Sequence, residues 1–231
     1  MEKTTNLHTN LSQKVTENQL FIYFHLAITF VNVAVLAAPI PGVQGWKLMG
    51  LVVLYNVSLP LLARYAGLDH WWSMWTFLLP LSVFQVLPDW FLSRVLDVLV
   101  FPADGSWRIG TVSAYMAGMW VVPMFLVLYG AHHSPRKWQY SAAALLGLLI
   151  FGASEATSYT ILGSWYAQKV WIIQHVAIYV LLPEALLGLA GFYAWQQVQH
   201  SSWGKKIVAA LMVSLVYTGA LAVSFLLIER F

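Results

Sequence analysis

The sequence predicts an all-α, polytopic integral membrane protein: a seven-transmembrane-helix bundle with a short interfacial helix between the third and fourth spans. Three observations predict it. Hydrophobic residues fill 60% of the 231 positions and charged residues only 9%, where an ordinary soluble domain carries about a quarter charged residues. Apolar runs long enough to cross a hydrocarbon core recur along the chain. Twelve tryptophans, many at the ends of those runs (Trp46, Trp71, Trp72, Trp107, Trp138, Trp165, Trp171, Trp195 and Trp203), fit aromatic belts at the two interfaces.

Residues 1–19 read as a polar N-terminal segment with Lys3 and Lys14, and residues 20–231 as one helical domain. The first apolar run has no small-residue cleavage site after it, which predicts a retained helix rather than a removed leader. The predicted spans are 20–38, 46–62, 71–87, 110–130, 138–162, 169–195 and 206–228. Pro39, Pro41 and Gly42 end the first span, and the Ala66-Gly67-Leu68-Asp69 stretch separates the second from the third.

The connection 88–109 carries too much charge to span. Pro88 followed by Asp89 reads as a helix start, and residues 90–100 as a short amphipathic helix in which Arg94 and Asp97 pair at three residues' spacing. Basic residues favour a cytoplasmic N-terminus. Lys3, Lys14, Arg64, Arg136, Lys137, Lys205 and Lys206 fall on its side, against Lys47, Arg94, Arg108, Lys169 and Arg230 on the other. Internal repeats and linkers are not visible in the pattern.

Ionisable residues at membrane depth are costly and mark functional sites by default. Glu155 lies about 8 residues, roughly 12 Å, before a turn around Gly163, and His175 roughly 9 Å beyond it. Helices joined by so short a turn lie side by side, so the two side chains are expected to face a shared cavity opening away from the N-terminal side. Tyr159, Trp171 and Tyr179 flank them at helical spacing. Glu184 stands deeper, directly after Pro183, whose ring frees the carbonyl of Tyr179. Ser82, Gln85 and Asp89 form a stripe that reaches a similar depth, with Tyr115 and Asn32 at comparable levels.

Each of these residues also has a plain structural reading. The small residues Gly152, Ala153, Ser154, Ala156 and Ser158 around Glu155, and Gly188 and Gly191 after Glu184, are those of close helix packing. There Glu155 and Glu184 would be acids bonded across an interface, and His175 a satisfied packing residue. Asp89 would then be a helix-starting residue.

Absences exclude several classes. With no cysteine, disulfides, thiolate catalysis and sulfur-ligated metals are ruled out. The His132-His133 pair reads as isolated in a loop, so a histidine-rich di-iron site is missing, as are a clustered-Asp diphosphate site and a phosphate-binding glycine loop. The net charge of +3 is spread along the chain and makes no nucleic-acid patch. The expectation is an enzyme of the membrane interior. Glu155, His175, Asp89 and Glu184 carry acid–base chemistry on a lipophilic, isoprenoid-like substrate, and Gln85, Tyr115, Tyr159, Trp171, Tyr179 and Asn32 line its site. The partners expected are the lipid bilayer and that small molecule, with no cofactor and no metal; the oligomeric state is left open. Isomerisation, cyclisation and hydration all suit this set. A small proton-coupled carrier and a non-catalytic membrane subunit are the alternatives.

Overall fold

A computed structural model describes residues 16–39 and 43–230. Most of the polar segment 1–19, with Lys3 and Lys14, lies outside the described residues, as do Pro41 and Gly42. Two compact units divide the chain, residues 1–38 and 39–231. The first is the helix α1 (Glu17–Ala37), opened by a reciprocal capping box: Thr16 Oγ1 accepts from the Gln19 amide and the Gln19 side chain accepts from the Thr16 amide. None of its residues is buried.

The second unit is a helical bundle. Helix α2 (Gln44–Tyr65) ends where Gly67 turns left-handed, at φ 68°, and Leu68 donates back to the Ala63 carbonyl. Helix α3 (Asp69–Phe84) continues with a slight break at Gln85 into α4 (Val86–Trp90) and a π turn at Phe91–Val95. After a strand-containing loop come α5 (Met116–Met119) and α6 (Val121–His133). A 3₁₀ turn, Arg136–Trp138, leads into α7 (Gln139–Ser158), and another, Ile178–Val180, into α8 (Leu181–Val198). Last is α9 (Trp203–Phe225) with a π turn at Leu226–Arg230.

The protein is mostly helical, and among the described residues six helices are long and apolar enough to cross a membrane. The seventh predicted span is not among these six. The missing member is the run 110–130. Gly110, at φ 64°, pulls its start into a hairpin of β2 (Arg108–Ile109) with β3 (Val112–Ser113). Pro123 has no N–H for the Met119 carbonyl, and the helix breaks at Trp120 between α5 and α6.

The predicted interfacial helix is corrected. Pro88 lies inside a continued span, not at a new helix start. Its ring leaves the Phe84 carbonyl without a helical donor, and Ser214 Oγ on α9 donates to it at 2.9 Å. Past Val95 the chain forms β1 (Leu99–Val100), which pairs with β4 (Tyr166–Ala167).

The predicted span 169–195 becomes helical only at its second third. Residues 172–177 form a hairpin, β5 (Ile172–Ile173) against β6 (Val176–Ala177), turned by Gln174 and His175 with φ of 48° and 70°. Two successive positive φ values match the tight turn whose twist suits paired strands.

Small residues set the closest helix contact. At Gly188 on α8 a Cβ would stand 2.3 Å from the Ala143 carbonyl oxygen of α7, and at Gly147 on α7 one would stand 2.7 Å from the carbonyl oxygen of Glu184. Only glycine lets these backbones approach so far. Trp71 and Trp195 are fully buried core residues rather than interfacial anchors, whereas Trp46, Trp107, Trp138, Trp171 and Trp203 are exposed.

Candidate functional site: three carboxyl groups beneath a loop cap

Three acids enter one region from different helices of the bundle. Glu155 stands in the last turn of α7, Glu184 in the first turn of α8, and Asp89 in α4 just before its π turn. Asp89 and Glu184 are each within electrostatic reach of Glu155, and Tyr179 and Tyr217 are within reach of all three. Exposure is 4% at Asp89 and 2% at Glu184; Glu155 is half-buried.

Tryptophans hold two of the acids. The Trp120 indole donates to Asp89 Oδ2 at 3.2 Å, and its ring lies 5.2 Å from Phe151 and 5.9 Å from Tyr217. The Trp165 indole donates to Glu155 Oε1 at 2.9 Å. Trp165 is fixed in turn by Ser158 Oγ, 2.9 Å from its carbonyl oxygen. Glu184 Oε2 and Gln85 Nε2 are buried without a hydrogen-bond partner. Such atoms are few in folded proteins, and each calls for a reason such as a bound molecule.

The helix ends around these acids are built by one device used twice. Pro183 frees the Tyr179 carbonyl, as its ring requires, and Ser224 Oγ on α9 donates to that oxygen at 2.6 Å. With Ser214 on the Phe84 carbonyl, α9 thus supplies the donor to each of these two proline-freed carbonyls. Ser214 Oγ also lies 3.3 Å from Gln85 Oε1, which ties the Gln85 side chain to α9 one turn before Tyr217.

A cap of loops and short strands covers this end. Its hub is Asp104, buried at 6% exposure. Burial opposes its charge, but hydrogen bonds from the Ser106 hydroxyl and amide and from Ser113 Oγ outweigh that and hold its carboxyl below the ordinary range. The Asp104 carbonyl accepts from the Gly45 amide at 2.8 Å, and the Gln44 side chain donates to the Leu162 carbonyl at 2.7 Å. Both contacts seat the start of α2 on the cap. Tyr115 is buried and bonded to Ser164 Oγ at 2.6 Å. Across the surface Asp97 is paired with Lys169 and Gln168, not with Arg94 as its spacing predicts. The Lys169 bond holds the Asp97 carboxyl below its ordinary range.

The predicted residues separate accordingly. Glu155, Asp89, Glu184, Gln85 and Tyr179 are brought to this end of the bundle. His175 is corrected: it is exposed in the β5–β6 turn and stands on no helix, so it does not face Glu155 at matched depth inside the bundle. Trp171 and Tyr159, exposed at 64% and 51%, are corrected with it; the Trp171 amide donates to Glu229 and the Tyr159 ring packs on Tyr166. Tyr115 belongs to the cap. Asn32 is on α1, in the other unit. Trp120 and Tyr217 are missing from the sequence reading, and Trp165 enters it only as an interfacial tryptophan. Trp120 and Tyr217 carry one usable signal, an aromatic with a polar tip far from either end of its apolar run.

No functionally curated protein and no solved structure matches the chain. The model of a family described as Domain of unknown function (DUF6989) does match, over residues 86–228, a stretch that contains Asp89, Trp120, Glu155, Trp165, Glu184 and Tyr217, and the chain belongs to that family.

Proposed function

We propose that this protein is an intramembrane acid–base catalyst acting on a lipophilic, isoprenoid-like alkene, by isomerisation, cyclisation or hydration. The observation that carries the reading is that Asp89 and Glu184 each come within electrostatic reach of Glu155 in an apolar bundle with tryptophan and tyrosine neighbours. Among the described residues no Lys, Arg or His side chain is bonded to these three carboxyl groups. Like charges crowded in such a medium do not all form, so the set shares protons. A protonated member delivers a proton to the alkene, and an ionised member removes one from the resulting cation. The faces of Trp120 and Tyr217 suit that cation, since aromatic faces attract positive charge most strongly where water is scarce. Buried Glu184 Oε2, with no partner of its own, is our choice for the proton donor, and Asp89, oriented by Trp120, for the acceptor.

We also propose seven crossings with a cytoplasmic N-terminus. Residues 116–133 make about 27 Å of helix at 1.5 Å per residue, enough to serve as a broken fourth span. The excess of basic residues on the N-terminal side supports the orientation.

The test is solvent-proton incorporation. Protein in nanodiscs is incubated in D₂O with a panel of isoprenoid alkenes, and the products are read by mass spectrometry. The reading expects deuterated or rearranged product with wild type and at least about a hundredfold less with Glu184→Gln or Asp89→Asn. Gradient-driven uptake into liposomes without turnover would favour a carrier. The purely structural reading, favoured by the Gly147–Gly188 contact beside Glu184, expects neither turnover nor uptake.

A further inference from the structure

One buried side chain beneath the cap plays no part in the proton transfers above. Gln85 joins α3 to α4 and is fully buried, at 0% exposure. Asp89 stands one helical turn on, and its amide donates to the Gln85 carbonyl at 3.3 Å. The two side chains therefore share a helix face, with about 5–6 Å between their Cβ atoms. Opposite them, α9 offers Ser214, whose Oγ lies 3.3 Å from Gln85 Oε1, and Tyr217 three residues on. Trp120, which donates to Asp89, has its ring 5.9 Å from that of Tyr217. Gln85 thus borders the acids where α4 meets α9.

A side-chain amide has two ends, and Ser214 satisfies one of them. The single hydroxyl proton of Ser214 goes to the Phe84 carbonyl at 2.9 Å, the shorter of its two contacts and one with an oxygen that can only accept. Towards Gln85 the Ser214 oxygen is left to accept, so the amide meets it with nitrogen; the two ends of an amide are told apart only by the bonds they make. Whichever end faces Ser214, the other is buried without a partner. By this count the end left over is the oxygen, an acceptor with no donor among the described residues. A buried polar atom in that state is costly and calls for a ligand that bonds it.

We propose that Gln85 is a specificity residue for the substrate, its amide oxygen accepting from a hydroxyl group on a lipophilic, isoprenoid-like alkene. This deepens the acid–base reading and rests on it for the alkene. A hydroxyl answers the count because it donates, which an ether or a plain hydrocarbon cannot do. A site built to bond a hydroxyl strongly rejects the analogue that lacks one, since its own buried polar atom is then left unpaired. The bond holds the polar head one helical turn from Asp89, and so sets which carbons of the chain reach the acids.

Full-length protein in nanodiscs, isotope-labelled at its glutamine side chains, is titrated with geraniol, farnesol and geranylgeraniol, and with their methyl ethers and parent hydrocarbons. Nuclear magnetic resonance reads the side-chain amide of Gln85, whose signal is identified by its loss in Gln85→Leu. The proposal expects that signal to shift saturably with at least one alcohol, and the matching ether and hydrocarbon to bind at least tenfold more weakly. Gln85→Leu, shown to be folded by circular dichroism and its melting temperature, should lose the preference for alcohol over ether. Turnover in D₂O on the same samples separates the two claims. A Gln85-dependent preference without turnover upholds the hydroxyl site and overturns the acid–base reading, whereas equal turnover of alcohol and ether overturns the hydroxyl site alone. The proposal also fails if none of the alcohols shifts the Gln85 signal, or if the preference survives in folded Gln85→Leu.

Discussion

The two ends of the 39–231 bundle bury polar groups of different kinds. Away from the cap, several polar side chains are bonded to one another, and the polar atoms left buried without a partner are the neutral indole N–H groups of Trp75 and Trp195. Lys206, exposed at only 6%, donates to Thr76 Oγ1 at 2.7 Å and Ser73 Oγ at 3.3 Å; Ser73 in turn donates to the Gln199 carbonyl. Tyr140 donates to Gln196, and Gln196 to Gln139. Beneath the cap, three acids of one sign converge, two of them held by indoles and one with a buried oxygen unbonded. Packing accounts for the first end. The second gathers three acids that would repel one another if all were ionised, an arrangement that packing alone does not require. The contrast is the ground for proposing chemistry beneath the cap.

That contrast can be broken most sharply through the acids. Glu155→Gln, Asp89→Asn and Glu184→Gln are each expected to cut turnover by about a hundredfold or more while leaving the melting temperature nearly unchanged. The shape is kept and only the proton is lost. Lys206→Ala at the other end should do the reverse. Ser73 and Thr76 keep the acceptors that their hydroxyls already use, the Gln199 and Ser73 carbonyls, so stability falls modestly and activity persists. Equal effects from the two ends would erase the distinction.

Gly188→Ala is the packing counterpart. Its Cβ would meet the Ala143 carbonyl oxygen at 2.3 Å, forcing α7 and α8 apart at a cost of about 2–3 kcal/mol. Chemical denaturation measures it.

The serine–proline device offers a smaller and more specific test. Ser224→Ala strands the buried Tyr179 carbonyl and should cost about 1–2 kcal/mol. Adding Pro183→Ala restores a backbone donor to that carbonyl, so the double variant should recover part of the loss. Additive costs would show that the hydroxyl and the ring act separately.

The smallest effect belongs to the cap surface. Asp97 is held below its ordinary range by Lys169. Such a depressed carboxyl contributes stability above its unfolded value, about 3.9, and loses it as pH falls through the lower folded value. Lys169→Ala should therefore leave the melting temperature within error at pH 7, because the pair is exposed. Hydrogen exchange in β4 of wild type should quicken only in acid below that range.

Much of this organisation was legible in the residues, for reasons that can be named. Apolar run lengths place most helices, and Gly163, at φ 62°, makes the turn its position predicts. Proline chemistry identified the Tyr179 carbonyl as needing a partner, although only the fold shows that Ser224 supplies it. Depth counting set Glu155 and His175 at one level. It failed for His175 because an apolar run such as Ile172–Ile173 followed by Val176–Ala177 reads equally as helix or strand, and two left-handed residues decided for the strand. Trp120, Tyr217 and the role of Trp165 escaped because azimuth between helices is not written in spacing. Asp104 had a local signal, an Asp two residues before a backbone amide it accepts from, but its bonds to Ser113 and to Gly45 of α2 come only with the fold.

The central claim is that Asp89, Glu155 and Glu184 hold protons between them in the membrane interior. Infrared spectroscopy of the protein in nanodiscs at neutral pH tests it without knowledge of the substrate, by reading the carbonyl stretch of protonated carboxylic acids. The account predicts such a band in wild type that weakens in Glu184→Gln and Asp89→Asn and disappears in the triple amide variant. A wild-type spectrum showing only ionised carboxylates, or a protonated band unchanged by the triple variant, would contradict it.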